Sequence, residues 1–271
     1  MYAGTTIRHG SGRFVGVHQK IDRSARRYLK KITPNTISFP DIKSILYFEG
    51  NNGSDGIKRK SQTIDQPWYF INPTKINEDE DLLVVIDNHI YNLSVALREK
   101  DRIKAAFEAA WLAHAIVDGL TPAHHYPLGD KIEELWGKLP NERNSIKEKN
   151  IIPGDGLRDI LNKNWEYWGA GGVFTKHGMF EFGVASAISA YKFQDIHISN
   201  NNILNVKQGD FRPIYLESLR KVDSMKMYDA LGKKGWTQQL AKQTKEVLIP
   251  EIIKIVVLGW YKAMVMSESK I

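Results

Sequence analysis

The chain has no cysteine among its 271 residues. That absence removes disulfide bonds, thiolate metal ligands and a cysteine nucleophile together. Other familiar machinery is missing too: there is no Gly-x-x-x-x-Gly-Lys-Ser/Thr phosphate loop, no His-Glu-x-x-His protease helix and no Gly-x-Ser-x-Gly elbow. An adjacent His-Asp pair, which one class of helical phosphohydrolase requires, is also lacking. GAGG at 169–172 follows no convincing strand, so dinucleotide binding is not expected. The first residues, MYAGTTIRHGSG, lack the apolar core of about 7–15 residues that a secretory leader needs. A cytoplasmic location is the default expectation, with an exported mature form left open. The apolar run IIKIVVLGW at 252–260 contains Lys254 and falls short of the roughly 20 residues a membrane span needs. It reads as core, and no transmembrane segment is expected.

Low-complexity linkers and internal repeats are absent and alternating strand patterns are scarce, so the expectation is one all-α domain over residues 1–271. At 42% hydrophobic the chain can bury a sizeable core. Leu82, Leu83, Ile86, Ile90, Leu93 and Leu97 form a helical stripe. A break follows near Lys100 and Asp101, and a second helix runs to Asp118. Another begins near His177 and continues through Ala185, Ile188 and Tyr191. Pro250 is expected to start the last helix, in which Ile252, Ile253, Val256, Val257 and Trp260 are too uniformly apolar for a surface element. Net charge is +7, and the pI near 9.3 favours anionic partners, phosphate-bearing lipid or nucleic acid. The basic clusters IKRKS at 57–61 and RSARR at 23–27 read first as solvated faces and second as phosphate contacts. In NWEYWG, Trp165, Tyr167 and Trp168 could line a cleft but read first as core packing.

Residues 111–127, WLAHAIVDGLTPAHHYP, carry the chemistry. Ile103, Phe107, Ala110, His114 and Val117 recur at three- and four-residue steps and share one apolar helix face, which points His114 inward. Asp118 is one turn later, so an imidazole nitrogen and a carboxylate oxygen can meet one cation at about 2.0–2.2 Å each. Gly119 and Pro122 end the helix, and the turn can bring His124 and His125 back towards the same point. A satisfied core histidine would explain His114 alone, and explains the trio His114, Asp118 and His124 less well than a metal site does. An inward carboxylate beside imidazoles needs compensating charge, which a divalent cation supplies. Without cysteine the ligands must be His and carboxylate, a set typical of open, catalytic sites.

HAIVDGLTPAH resembles the helix-to-loop signature of the zinc-dependent phospholipase C and fungal single-strand-specific nuclease superfamily: His-x-x-x-Asp, a short turn with Pro, then His. The resemblance implies an all-α, multi-helix bundle with a metal cleft, in which two or three zinc ions hydrolyse a phosphodiester through a metal-activated water. It also implies further ligands. His18, beside the inward stripe of Phe14, Val17, Ile21, Ala25 and Tyr28, resembles the family's N-terminal ligand histidine. In WYFINP at 68–73, Tyr69 stands where a ligand histidine is expected. Asp55, in the turn-rich GNNGSDG, keeps about the family's interval before position 69, and so becomes the candidate ligand and catalytic, water-orienting carboxylate. In TKHGMFEFGVA, His177 and Glu181 resemble the pair that joins His124 around a second zinc. Asp130 and Glu134 on GDKIEELW are an alternative pair, less suited to zinc because they offer carboxylates alone. The family's first residue, a Trp whose amine and carbonyl hold a third zinc, has no counterpart at Met1. That site is then either lost or rebuilt from His18 and Asp118, with His9 as a further candidate. His89 and His197 have no partner at metal spacing. The expected substrate is an anionic phosphodiester, phospholipid in preference to nucleic acid, with peripheral membrane contact left open. A non-catalytic protein keeping a degenerate metal site is the alternative.

Overall fold

The computed structural model describes residues 1–3, 16–33, 38–60, 69–76, 80–125, 131, 134–137, 142–194 and 196–268. His9, Phe14, Trp68 and Asp130 lie outside the described residues, as do parts of the 57–61 and 129–136 segments. The described part is mostly helical and holds no strand, as expected of an all-α fold.

Long helices packed on one another make the framework. α1 (Val17–Ile32) buries Val17, His18, Ile21, Ala25, Tyr28 and Leu29, a face set by three- and four-residue spacing. After the short α2 (Ile42–Tyr47) and α3 (Ser54–Lys60), α4 (Asp81–Arg98) buries Leu82, Leu83, Ile86, Ile90 and Leu93. α4 ends where Lys100 takes a left-handed conformation, φ 59°. Asp101 then caps α5 (Arg102–Gly119), its carboxylate accepting from the backbone N–H groups of Ile103 and Lys104 at 3.1 and 3.0 Å. The expected one-sided stripe on α5 is only part of the picture. Ile103 stands in solvent at the first turn, whereas from Leu112 to Leu120 every residue is buried, because other helices surround this stretch. Alanines at 105, 106, 109, 110, 113 and 115 let those neighbours approach closely.

α6 (Ile146–Asn150), α7 (Leu157–Trp168), α8 (Val173–Ile188), α9 (Asn200–Gln208), α10 (Arg212–Ser224), α11 (Met227–Lys234) and α12 (Gln238–Gln243) follow. α8 ends at Ile188, so Tyr191 falls beyond it and is exposed. Pro250 does not open the last helix either. α12 runs through a wide π turn at Thr244–Leu248 straight into α13 (Ile249–Glu268), and the widened turn accommodates the residue that has no N–H to donate. α13 is the axis of the fold: it packs against α1, α4 and α5, and Ile252, Ile253, Ile255, Val256, Val257, Leu258 and Trp260 are fully buried. The Trp260 indole donates to the Ala109 carbonyl at 2.9 Å, so the polar atom of that large ring is satisfied in the core. No helix among the described residues is long and apolar enough to cross a membrane.

A second, smaller apolar cluster joins Leu135, Trp136, Ile152 and Tyr167, with Phe70 and Val173 packed against it. Tyr167 fits the expected core role, but Trp165 is 72% exposed and Trp168 40%.

Candidate metal centre

α1, α5 and α8 each deliver a histidine and a carboxylate one turn apart: His18 and Asp22, His114 and Asp118, His177 and Glu181. On a helix, residues four apart lie on one face, which is why each pair arrives together. His124 comes from a 3-10 turn, Pro122–His124, that folds back under the end of α5. The reversal is tight at Gly119, where a Cβ would lie 2.2 Å from the Tyr215 hydroxyl and 2.4 Å from Leu82. Within α8, Gly183 permits a similarly close approach, since a Cβ there would sit 2.2 Å from the Trp236 ring.

Two donor groups result. Ligand-capable atoms of His18, Asp55 and His114 lie within 4.8 Å of one another, and so do those of His124, His177 and Glu181. Asp118 stands between them. Its Oδ1 is 3.2 Å from His18 Nε2 and 3.8 Å from His124 Nε2, and its Oδ2 is 3.3 Å from His114 Nε2. His18 stacks face to face on His114 with centroids 3.9 Å apart, and His124 lies beside His177 at 4.9 Å with the rings tilted by 52°. Six of the expected ligands, from four separate stretches of chain, therefore share one buried location with Asp55 at its more open side.

Hydrogen bonds fix which imidazole nitrogen faces inward. His124 Nδ1–H donates to the Tyr69 carbonyl at 3.0 Å, while the N–H of Ile71 donates to the His124 carbonyl at 3.1 Å, so segment 69–71 clamps that residue from both sides. His114 Nδ1–H donates to Glu49 at 3.3 Å. In each case Nε2 is left buried and without a hydrogen bond. Buried polar atoms are rarely left so. An imidazole whose outer nitrogen is held by a carboxylate or carbonyl, and whose inner nitrogen points at carboxylates, is the arrangement that receives a metal ion.

Charge follows from this packing. Burial works against the His114 proton, but Glu49, Asp118 and Asp55 overcome it and raise that imidazole well above its ordinary value. For His124 burial wins, pushing it down to about 4. Burial also opposes ionisation of Asp118, yet the Met1 amine and the surrounding histidines hold its carboxyl well below the usual range. Glu181 is held low in the same way by the Met1 amine and His177. Asp55, its burial offset by Lys58 and His114, is likewise far below the usual carboxylate range. The centre thus holds three ionised carboxylates, the composition a divalent cation neutralises.

The structure differs from the sequence reading at several points. Asp55 lies in the first turn of helix α3, not in an open loop, and an acidic side chain there suits the positive end of the helix dipole. Met1, expected to have no part, lies in the centre. Its amine contacts Asp118 and is 3.2 Å from Glu181, and its carbonyl accepts from His18 Nε2 at 2.7 Å. Tyr69 is buried beside His114, ring centroids 5.5 Å apart. Burial pushes its hydroxyl up to about 12, so it stays a neutral phenol and a weak donor to metal. Of the alternative pair, Glu134 is exposed, bonded to Lys131 and a member of neither donor group. His125 bonds to the Gly119 carbonyl at 3.0 Å, and His89 to Glu108 at 2.6 Å. The basic clusters are occupied structurally: Arg26 and Arg27 donate to backbone carbonyls of Pro40 and Phe193, and Arg59 and Lys60 to Asn51.

Glu49 and Asp22 were missed altogether. Asp22 is fully buried with neither oxygen hydrogen-bonded, and burial together with the charge of Glu49 raises its pKa well above the usual range. In comparisons with known proteins, no family model matches the chain, and no match was found among curated proteins or solved structures.

Proposed function

We propose that this protein is a zinc-dependent phosphodiester hydrolase, phospholipase C-like in its substrate. The observation that carries the reading is the convergence of His18, His114, Asp118, His124, His177 and Glu181, with the inward nitrogens of His114 and His124 buried and unbonded. A mixed imidazole and carboxylate set suits zinc better than magnesium or calcium, which prefer oxygen alone. His18, Asp55, His114 and Asp118 would hold one ion, and His124, His177 and Glu181 another, with Asp118 facing both. Bound zinc supplies a water whose pKa falls towards ~7 and positive charge for the phosphoryl oxygens.

The remaining work belongs to the chain. Asp55 is 28% exposed, so it faces the side from which a substrate would come. Ionised at neutral pH, it can accept a hydrogen bond from a water and aim it at phosphorus. Glu49 and the Tyr69 carbonyl keep the two imidazoles in the ligating tautomer. No protein nucleophile is needed, in keeping with the absence of cysteine and of a serine elbow.

Lipid is preferred to nucleic acid because of α7. Leu157, Leu161 and Trp165 repeat at four-residue steps, are 76%, 61% and 72% exposed, and lead through Trp168 and Phe174 to His177. An apolar and aromatic face beside the centre suits an acyl or interfacial surface more than a phosphate backbone. The test is elemental analysis of the purified protein together with hydrolysis of a chromogenic phosphodiester, then of phosphatidylcholine micelles and single-stranded DNA or RNA. Two zinc ions with turnover on the micelles agree with the proposal. Metal without turnover on any phosphodiester favours the degenerate metal site, and turnover on nucleic acid alone overturns the substrate class.

A further inference from the structure

We propose that Lys58 is a tethered cation at the Asp55 side of the centre, which makes the His18/Asp55/His114 group take up zinc more weakly than the His124/His177/Glu181 group. The inference rests on the metal-centre reading above and adds an order of filling to it.

The two donor groups differ in composition. The second consists of two imidazoles and a carboxylate, and among the described residues no lysine is paired with Glu181. In the first, the carboxylate is already engaged: Lys58 Nζ is 2.8 Å from Asp55 Oδ1, the two side chains being one turn apart on α3. Asp55 is the one member of that group on the open side, and Lys58, 21% exposed, lies there with it. Both therefore sit where an ion would enter. The neighbour that could offset this charge does not. Tyr69 lies with its ring centroid 5.9 Å from Lys58 Nζ, and as a neutral phenol it adds no negative charge where an imidazole would have added a donor.

Two consequences follow for an incoming divalent ion. An ion that takes the Lys58-bound oxygen of Asp55 must displace the ammonium, and one that takes the other oxygen must share the carboxylate with it. In either case the ammonium stays within reach, because α3 holds its backbone, and like charges a few ångström apart in a partly buried site repel strongly. At the other group, the competing ammonium is the Met1 amine, which is shared between Asp118 and Glu181 and so is not committed to one ligand.

The test is zinc titration of the metal-stripped full chain against a chromogenic chelator, followed by calorimetry. Wild type is expected to show one tight class and a second class at least tenfold weaker. Lys58→Met, which keeps the stem and removes the charge, should strengthen the weak class by about tenfold or more and leave the tight class unchanged. Lys58→Arg should keep the weak class weak, and Asp55→Asn should remove it, with circular dichroism confirming the fold of each. If wild type binds two ions with equal affinity, or Lys58→Met leaves the weak class where it was, the inference is wrong while the metal centre stands. If neither protein takes up zinc, the functional reading fails and the inference with it.

Discussion

Glu181→Gln separates what this carboxylate does for the fold from what it does for a cation. Glu181 is 18% exposed and lies 3.0 Å from His177 Nε2, 3.2 Å from the Met1 amine and 3.5 Å from His124 Nε2. The amide keeps the shape and removes the charge. Breaking a buried ion pair by losing one partner costs about 3–5 kcal/mol, and the partial exposure of Glu181 puts it near the lower end. For a chain of this size, about 2–4 °C of melting temperature goes with each kcal/mol. The metal-stripped variant should then melt about 6–12 °C below wild type.

On the proposed reading, a bound cation adds a separate increment. Zinc at a thousandfold excess over its dissociation constant stabilises a protein by ~4.1 kcal/mol per site. On the same scale that raises the wild-type melting temperature by about 8–16 °C for one filled site. Glu181→Gln should lose most of that increment at the His124/His177/Glu181 group. Differential scanning calorimetry of both proteins, in chelator and in zinc, closes the cycle. Glu251→Gln is the control. It also removes a buried carboxylate, bonded to Ser218, Lys221 and Lys254, but none of these belongs to the metal centre. It should lower both melting temperatures equally. A zinc increment in Glu181→Gln equal to that of wild type would refute the reasoning, however far its metal-free melting temperature had dropped.

Glu49→Gln should weaken zinc binding at the His114 group by about 10–100-fold, the usual effect of removing a carboxylate that orients a ligand histidine. Chelator competition measures this, and an unchanged affinity would show that Glu49 does not position His114. Stability of the metal-free protein should fall as pH drops from 6.5 towards about 4. His124 and His125 are both pushed down to about 4 by burial, so across that window the unfolded chain binds the protons the folded chain refuses. Above neutrality the direction reverses for His114, whose raised pKa gives stability that is lost as its proton leaves. Calorimetry over a pH series in chelator checks both limbs, and a flat profile below pH 6.5 contradicts the burial argument. Leu161→Ser with Trp165→Ser should leave melting temperature and hydrolysis of a soluble chromogenic diester almost unchanged, since both side chains are exposed. Hydrolysis of phosphatidylcholine vesicles should fall by about tenfold, and equal rates on vesicles would remove α7 from the substrate argument.

The parts legible in the sequence were those written in one-turn spacing. His114 with Asp118 and His177 with Glu181 each lie on a single helix, where sequence distance fixes spatial distance. His18 with Asp22 has the same spacing, but Asp22 stands next to the charged run RSARR, where an acidic residue carries no sign of burial. Glu49 had no such signal. It precedes a 3-10 turn, reaches His114 from another part of the chain, and nothing in YFEGNNG marks it as buried. The same limit explains Met1, which is brought in by hydrogen bonds to α1: the N–H of Val17 donates to the Tyr2 carbonyl at 2.8 Å, and Gln19 donates to the Ala3 carbonyl at 2.6 Å. Helix boundaries failed where one residue's preference was given too much weight, as at Pro250, which a π turn absorbs.

The three His-x-x-x-carboxylate pairs also explain why the centre can be this acidic and remain buried. Each carboxylate arrives with an imidazole of its own helix, so no helix buries an isolated charge of its own. The pairs are not equivalent, however. Asp118 and Glu181 are held well below the usual carboxylate range and lie against the histidines, whereas burial and the charge of Glu49 raise Asp22 well above it. Adding a negative charge at Asp22 would leave Glu49 with a like-charged neighbour and weaken its hold on His114. Glu49 is in turn the acceptor for His114 Nδ1–H, so a buried acid that belongs to neither donor group bears on the carboxylate that orients His114.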